Sequence, residues 1–147
     1  MIDTIRVQKR DPGAIIPERA HPTDAGADLF SIETVVLVPG ERRAIKTGIA
    51  LAIPDGYVGL VWDKSGRAVK EGLTTLAGVI DSAYRGELQV VLLNVSDDSV
   101  TVQAGEKIAQ LLIQKIETPT ITVVESLEET HRGEGGFGST GLTQLSE

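Results

Sequence analysis

A chain of 147 residues, 41% of them hydrophobic, is long enough to bury one core and too apolar to be disordered. Its formal charge of −7 argues against stable binding to DNA or RNA, which requires many phosphates to be neutralised, but leaves room for a small phosphorylated ligand. With no cysteine there are no disulfides or thiolate metal sites, and His21 and His131 lie too far apart for metal-ligand spacing. The opening MIDTIRVQKR has no apolar run of the signal-peptide kind, and no stretch approaches membrane-spanning length. A soluble, cytoplasmic protein without a membrane partner is expected.

In chain order, the first short β run is IRV. TDAGADLFS follows, where Asp24 and Asp28 flank small residues, a pattern consistent with a turn. VVLV reads as a strand and VPGE as a turn. In RAIKTGIALAIPDG, Ile45, Thr47, Ile49, Leu51 and Ile53 alternate with smaller or polar residues, which predicts one strand ending at a Pro54-Asp55-Gly56 turn. YVGLVW is the next strand. SGRAVKEG is the one helical segment, with Ser65 as N-cap and Gly72 closing the end. LQVVLLNV, VTV and IAQLLI follow as strands, separated by NVSDDS and QAGE turns. ITVV predicts a last strand near Ile121–Val124, so the β body spans 1–127 and an arm of 128–147 follows. Many short strands with frequent turns predict an all-β barrel or sandwich.

Chemistry gathers at a few places. In AGVIDSAYRGEL, Val79 and Ile80 read as a strand entering the core with Asp81 at its end, where a carboxylate can orient and deprotonate water. The alternative is a hairpin in which Asp81 bonds nearby backbone N–H groups. In WDKSGRAVKEG a cation precedes Ser-Gly at a helix start, a charge, a hydroxyl and free N–H groups suited to phosphate, or simply an N-cap. Gln110 interrupts the apolar GEKIAQLLI, consistent with an edge position, a core hydrogen bond or a ligand contact. The tail RGEGGFGSTG joins Arg132, suited to a terminal phosphate, to Phe137, suited to stacking on a base, within glycines whose N–H groups can converge on anionic oxygens. A nucleoside polyphosphate fits every fragment.

Taken in order, DAGADLFS, KSGRA, GVIDSAYRGEL, GEKIAQLLI and RGEGGFGSTG resemble the motifs of the trimeric dUTPases over residues 24–141. That resemblance implies an all-β, jelly-roll-like (β-clip) barrel with one short helix, forming a homotrimer with active sites between subunits. It implies hydrolysis of dUTP to dUMP and pyrophosphate, with Asp81 activating a water and Mg²⁺ held mainly by the triphosphate. Lys64, Ser65 and Gly66 would bind phosphates and Gln110 would join them in binding substrate, with Asp28 supporting the cation. The backbone of a hairpin through Thr75, Ala77, Gly78 and Val79 would pair with uracil. Tyr84 would pack under the deoxyribose. A glycine-rich lid would bring Arg132, Phe137, Gly138 and Ser139 over the nucleotide.

Two positions depart from the family pattern. Asp63-Lys64-Ser65-Gly66-Arg67 stands where the family has a Pro-Arg-Ser-Gly-Leu type sequence, and Ala83 stands where many members have a second Asp. The departures raise the question of whether Lys64 or Arg67 meets phosphate. A dCTP deaminase shares the broader fold, but its additional catalytic Arg and Glu constellation is not found in this sequence. A non-catalytic nucleotide-binding regulator is the other alternative, against which Asp81 argues.

Overall fold

The structure, a computed structural model, describes residues 4–135. Phe137, Gly138 and Ser139 lie outside the described residues. The elements run β1 (Arg6–Lys9), β2 (Ala27–Phe30), β3 (Val35–Leu37), β4 (Arg42–Lys46), β5 (Ile49–Ala52), β6 (Tyr57–Trp62), α1 (Ser65–Glu71), β7 (Leu73–Leu76), β8 (Val79–Ile80), β9 (Gln89–Asn94), β10 (Val100–Val102) and β11 (Lys107–Lys115). They form four antiparallel groups, in the orders β1-β5, β10-β3, β2-β11-β6-β8 and β4-β9-β7. The strands wrap one core as an all-β, jelly-roll-like barrel. Leu29, Leu37, Ile45, Ile49, Leu92 and Ile108 lie at its centre, each at most 1% exposed. Full burial of each such side chain contributes about 1.5–3 kcal/mol. Two buried polar residues tie loops to this core. The Asn94 amide donates to the carbonyls of Leu37 (2.9 Å) and Asp98 (2.7 Å), and the Thr47 hydroxyl donates to the Leu88 carbonyl. No helix among the described residues is long and apolar enough to cross a membrane.

The predicted strands are present with four corrections. The alternating run Ile45–Ile53 is two strands, not one, because Gly48 takes φ 69° and turns the chain between β4 and β5. A Cβ there would lie 2.9 Å from that of Asp11, so only glycine fits this crossing. TDAGADLFS is half turn and half strand. The Asp24 carboxylate accepts from His21 N at 2.9 Å in the turn, whereas Asp28 lies in β2, buried with Leu29 and Phe30. Helix α1 begins one residue earlier than expected: Lys64 is its N-cap, with no side-chain cap bond, and Ser65 is its first residue. Gly72 closes it at φ 67° as expected.

The fourth correction concerns ITVV. No strand forms there, and regular structure among the described residues ends at Lys115. Ile121 and Val123 are 95% and 96% exposed. The β-branched residues of this run thus lie in irregular chain, a case of local propensity without a pairing partner among the described residues.

Candidate active site

Strand β11 organises the first group of residues. It lies between β2 and β6, so that Gln110 is opposite Asp28 on one side and Trp62 on the other. A β-bulge between Lys107 and Ala109 breaks the register next to Asp28; such bulges re-aim side chains. Asp28 is 3% exposed, and two ammonium groups meet it: Lys64 Nζ donates to Oδ1 at 2.5 Å, and Lys107 Nζ lies 2.7 Å from Oδ2. Lys107 also sits 5.9 Å above the centre of the Phe30 ring. Burial works against the charge of Asp28, but Lys107 and Lys64 outweigh it and hold its carboxyl below the usual carboxylate range.

A depressed carboxyl contributes stability above its unfolded pKa and loses it only as pH falls through the folded value. Thermal melting should therefore be insensitive to Asp28 between about pH 8 and pH 5 and fall only below about pH 4. Asp28→Asn should lower melting at neutral pH and flatten that acid limb; an unchanged acid limb would assign it to other carboxylates.

Beside this cluster, Trp62, Asp63, Thr74, Thr75 and Gln110 line a cleft of about 490 Å³. Asp63 Oδ1 accepts from the Thr75 backbone N–H and hydroxyl, both at 2.6 Å, and Oδ2 accepts from the Thr74 hydroxyl at 2.8 Å. Burial opposes its ionisation, but the bonds from Thr75 and Thr74 prevail and keep the carboxyl below its ordinary range. Gln110 Nε2 donates to the Asp63 carbonyl at 2.9 Å, so of the roles open to Gln110 the structure realises an internal hydrogen bond on a central strand.

Arg67 is engaged elsewhere through three of its five N–H donors. Its Nε donates to the Lys107 carbonyl (2.6 Å), Nη1 to Glu71 (2.8 Å) and Nη2 to Glu106 (2.6 Å). Its side chain is 14% exposed, against 31% for Lys64.

The second group lies around β8. No hairpin joins Thr75 to Val79, contrary to expectation, because β7 pairs with β9 whereas β8 pairs with β6. The chain changes sheets through Ala77 (φ 61°) and Gly78 (φ 102°), and the Gly78 carbonyl accepts from Val61 N at 2.8 Å. A left-handed alanine costs about 1–2 kcal/mol, and such strain collects at ligand clamps. The N–H of Thr75 is spent on Asp63, so the free edge of this turn begins beyond it.

Asp81 follows β8 directly and opens a turn closed by Tyr84 N on its carbonyl at 3.1 Å. It is exposed rather than entering the core, and among the described residues its carboxylate accepts no hydrogen bond, which removes the hairpin-bonded alternative. The Tyr84 hydroxyl donates to the Glu87 carbonyl at 3.0 Å. The ring lies so close over Gly86 that a Cβ there would fall 2.2 Å from its oxygen. Asp81, Tyr84, Val79 and Glu87 line a hollow of about 210 Å³ that shares no residue with the Trp62–Gln110 cleft. Arg132 stands apart from both groups, exposed, with Nε on the Gly135 carbonyl at 2.8 Å.

The sequence reading missed Lys107 as a partner of Asp28 and Asp63 as an anchor. Lys107 was within sight, three residues before Gln110 in GEKIAQLLI; the reach of Asp63 to Thr74 and Thr75 crosses between strands and leaves no local mark.

Fold and site together define an all-β barrel protein with a lysine–aspartate cluster around Asp28 and, in a separate hollow, an exposed carboxylate next to a tyrosine. The sequence pattern of the dUTPase family matches residues 13–141. A deoxyuridine 5'-triphosphate nucleotidohydrolase of Corynebacterium diphtheriae is 49% identical over 141 residues, covering 94% of this chain and 93% of that protein. The Staphylococcus bacteriophage 80alpha dUTPase, solved with dUPNHPP, superimposes with a TM-score of 0.90 at 39% identity, covering 96% of this chain and 100% of that one. A mutant dUTPase from phage phi11 of S. aureus, whose structure describes the coordination of a structural Mg(II) ion, gives 0.81 at 36% identity over 86% of this chain and 100% of that one. The chain belongs to the dUTPase family.

Proposed function

We propose that the protein hydrolyses dUTP to dUMP and pyrophosphate. The observation that carries this reading is Asp81, an exposed carboxylate with no hydrogen bond of its own among the described residues, presented beside Tyr84 at the end of β8. Asp81 takes a proton from a water whose oxygen forms a bond to the α-phosphorus. The bond from that phosphorus to the bridging oxygen breaks, and pyrophosphate leaves with the electron pair. Lys64, Ser65 and Gly66 hold phosphate oxygens, Gln110 offers the substrate its second Nε2 N–H while the first stays on the Asp63 carbonyl, Asp28 keeps Lys64 in place, and the Ala77–Val79 turn reads uracil. The Tyr84 ring, fixed by Glu87 and Gly86, packs under the deoxyribose and rejects a 2′-hydroxyl. Arg132, Phe137, Gly138 and Ser139 belong to the arm that closes over the nucleotide.

Among the described residues no three His, Cys, Asp or Glu side chains gather as a metal cage, and the Asp28 carboxylate is committed to two lysines. Magnesium therefore fits as a guest of the triphosphate oxygens and water, where it would neutralise phosphate charge.

In the proposed homotrimer the lysine loop of one copy faces the Asp81 hollow of another, so that residues far apart in one chain form one site. Ile121, Val123 and Leu127, exposed at 95%, 96% and 86%, supply apolar surface for such contacts. The cellular consequence would be exclusion of uracil from DNA and supply of dUMP for thymidylate synthesis.

Incubation with each deoxynucleoside triphosphate and Mg²⁺, with products identified by mass, tests the reading. Selective conversion of dUTP to dUMP is expected. Deamination of dCTP would make the protein a deaminase, and binding without turnover would make it a regulator.

A further inference from the structure

We propose that Asp63 is a positioning residue of this site, which locks the phosphate-binding loop to β7 and so sets the distance between Lys64 and the uracil-reading turn. The inference rests on the dUTP reading above and adds a residue to it. Two strands, β7 and β11, converge on Asp63. Its carboxylate takes the Thr75 N–H and hydroxyl at 2.6 Å each and the Thr74 hydroxyl at 2.8 Å, and its carbonyl takes Gln110 Nε2 at 2.9 Å. The link from the last residue of β6, Trp62, to the first of α1, Ser65, consists only of Asp63 and Lys64. A displacement of Asp63 therefore displaces Lys64, whose ammonium must stay within reach of both Asp28 and a phosphate.

On the other side, Thr75 is followed by Leu76 and then directly by Ala77-Gly78, where the chain changes sheets. Asp63 thus holds the phosphate loop and the approach to the base-reading turn with one side chain. The family pattern has proline at this position, which restrains the loop through a fixed φ. Here the restraint is made by hydrogen bonds across to a neighbouring strand, so the side-chain acceptors carry it.

The test compares full-length wild type with Asp63→Ala and Asp63→Asn, measuring kcat and KM for dUTP well below the melting temperature. Asp63→Ala should raise KM about tenfold with kcat within about threefold, because Asp81 and Tyr84 stand on other elements. Asparagine keeps an acceptor for the Thr75 N–H, and the Thr74 hydroxyl can turn to accept from its amide, so Asp63→Asn should restore KM to within about threefold of wild type. An unchanged KM in folded Asp63→Ala overturns the proposal, whatever happens to melting, and so does an asparagine variant no better than alanine. If Asp63→Ala does not fold, the isosteric Thr74→Val takes its place: KM raised about two- to fourfold supports the proposal, and wild-type KM overturns it. A wild-type protein inert towards dUTP removes the functional reading and this one with it, whereas an active wild type matched by Asp63→Ala removes only this one.

Discussion

Changing Asp81 to asparagine is expected to lower dUTP turnover by about a hundredfold or more while a non-hydrolysable analogue still binds. The substitution preserves size and removes the group that takes the proton from water. The surroundings of Asp81 make the test clean. It is exposed, it accepts no hydrogen bond among the described residues, and the turn it opens is closed by its own carbonyl. Folding therefore asks little of the carboxylate, and melting should move by no more than about 0.5 kcal/mol, the usual range for a surface change. Burst and steady-state kinetics, with binding of the analogue measured by calorimetry, separate chemistry from affinity. Near-wild-type turnover would take Asp81 out of the reaction.

Lys64→Ala gives the second large effect. A charge-assisted contact to phosphate contributes roughly 1.5–3 kcal/mol, about ten- to a hundredfold in kcat/KM for dUTP. Binding of deoxyuridine, which carries no phosphate, should change far less. Arg67 is the competing cation, and the structure supplies a reason to set it aside: its Nε, Nη1 and Nη2 are already spent on Lys107, Glu71 and Glu106. Arg67→Ala should therefore lower stability by about 1–2 kcal/mol in urea unfolding and leave kcat/KM within about threefold. The reverse pattern, with the large kinetic loss at Arg67, would move the phosphate site from one residue to the other.

What sequence could and could not reveal follows from the range of the interactions. Tyr57–Trp62 matches the quoted YVGLVW, because a strand's own composition and the turns around it are local signals. The helix ended where Gly72 stands because a left-handed residue there is also a local requirement. Gly48 misled in the opposite direction: the alternation from Ile45 to Ile53 runs through it without a break, and only the approach of Asp11 and Ala14 explains the turn. β2 was read as a turn because Asp28 sits in it, and a buried aspartate is tolerable only with Lys64 and Lys107 arriving from distant positions. Motif order named the residues of the proposed site. It did not show that the run from Thr75 to Val79 would be no hairpin, since that depends on β7 and β8 joining different sheets.

The pair of lysines on Asp28 bears on how a cation can be lent to a substrate. Were Lys64 its only partner, each turn of that ammonium towards a phosphate would leave a carboxylate that is 3% exposed without a counter-charge, a costly state. Lys107, 2.7 Å from the other oxygen, remains behind as a reserve counter-ion. On the proposed reading Lys64 can then alternate between protein and ligand over a shallow energy surface, an exchange that suits a flexible lysine better than the rigid fork of an arginine.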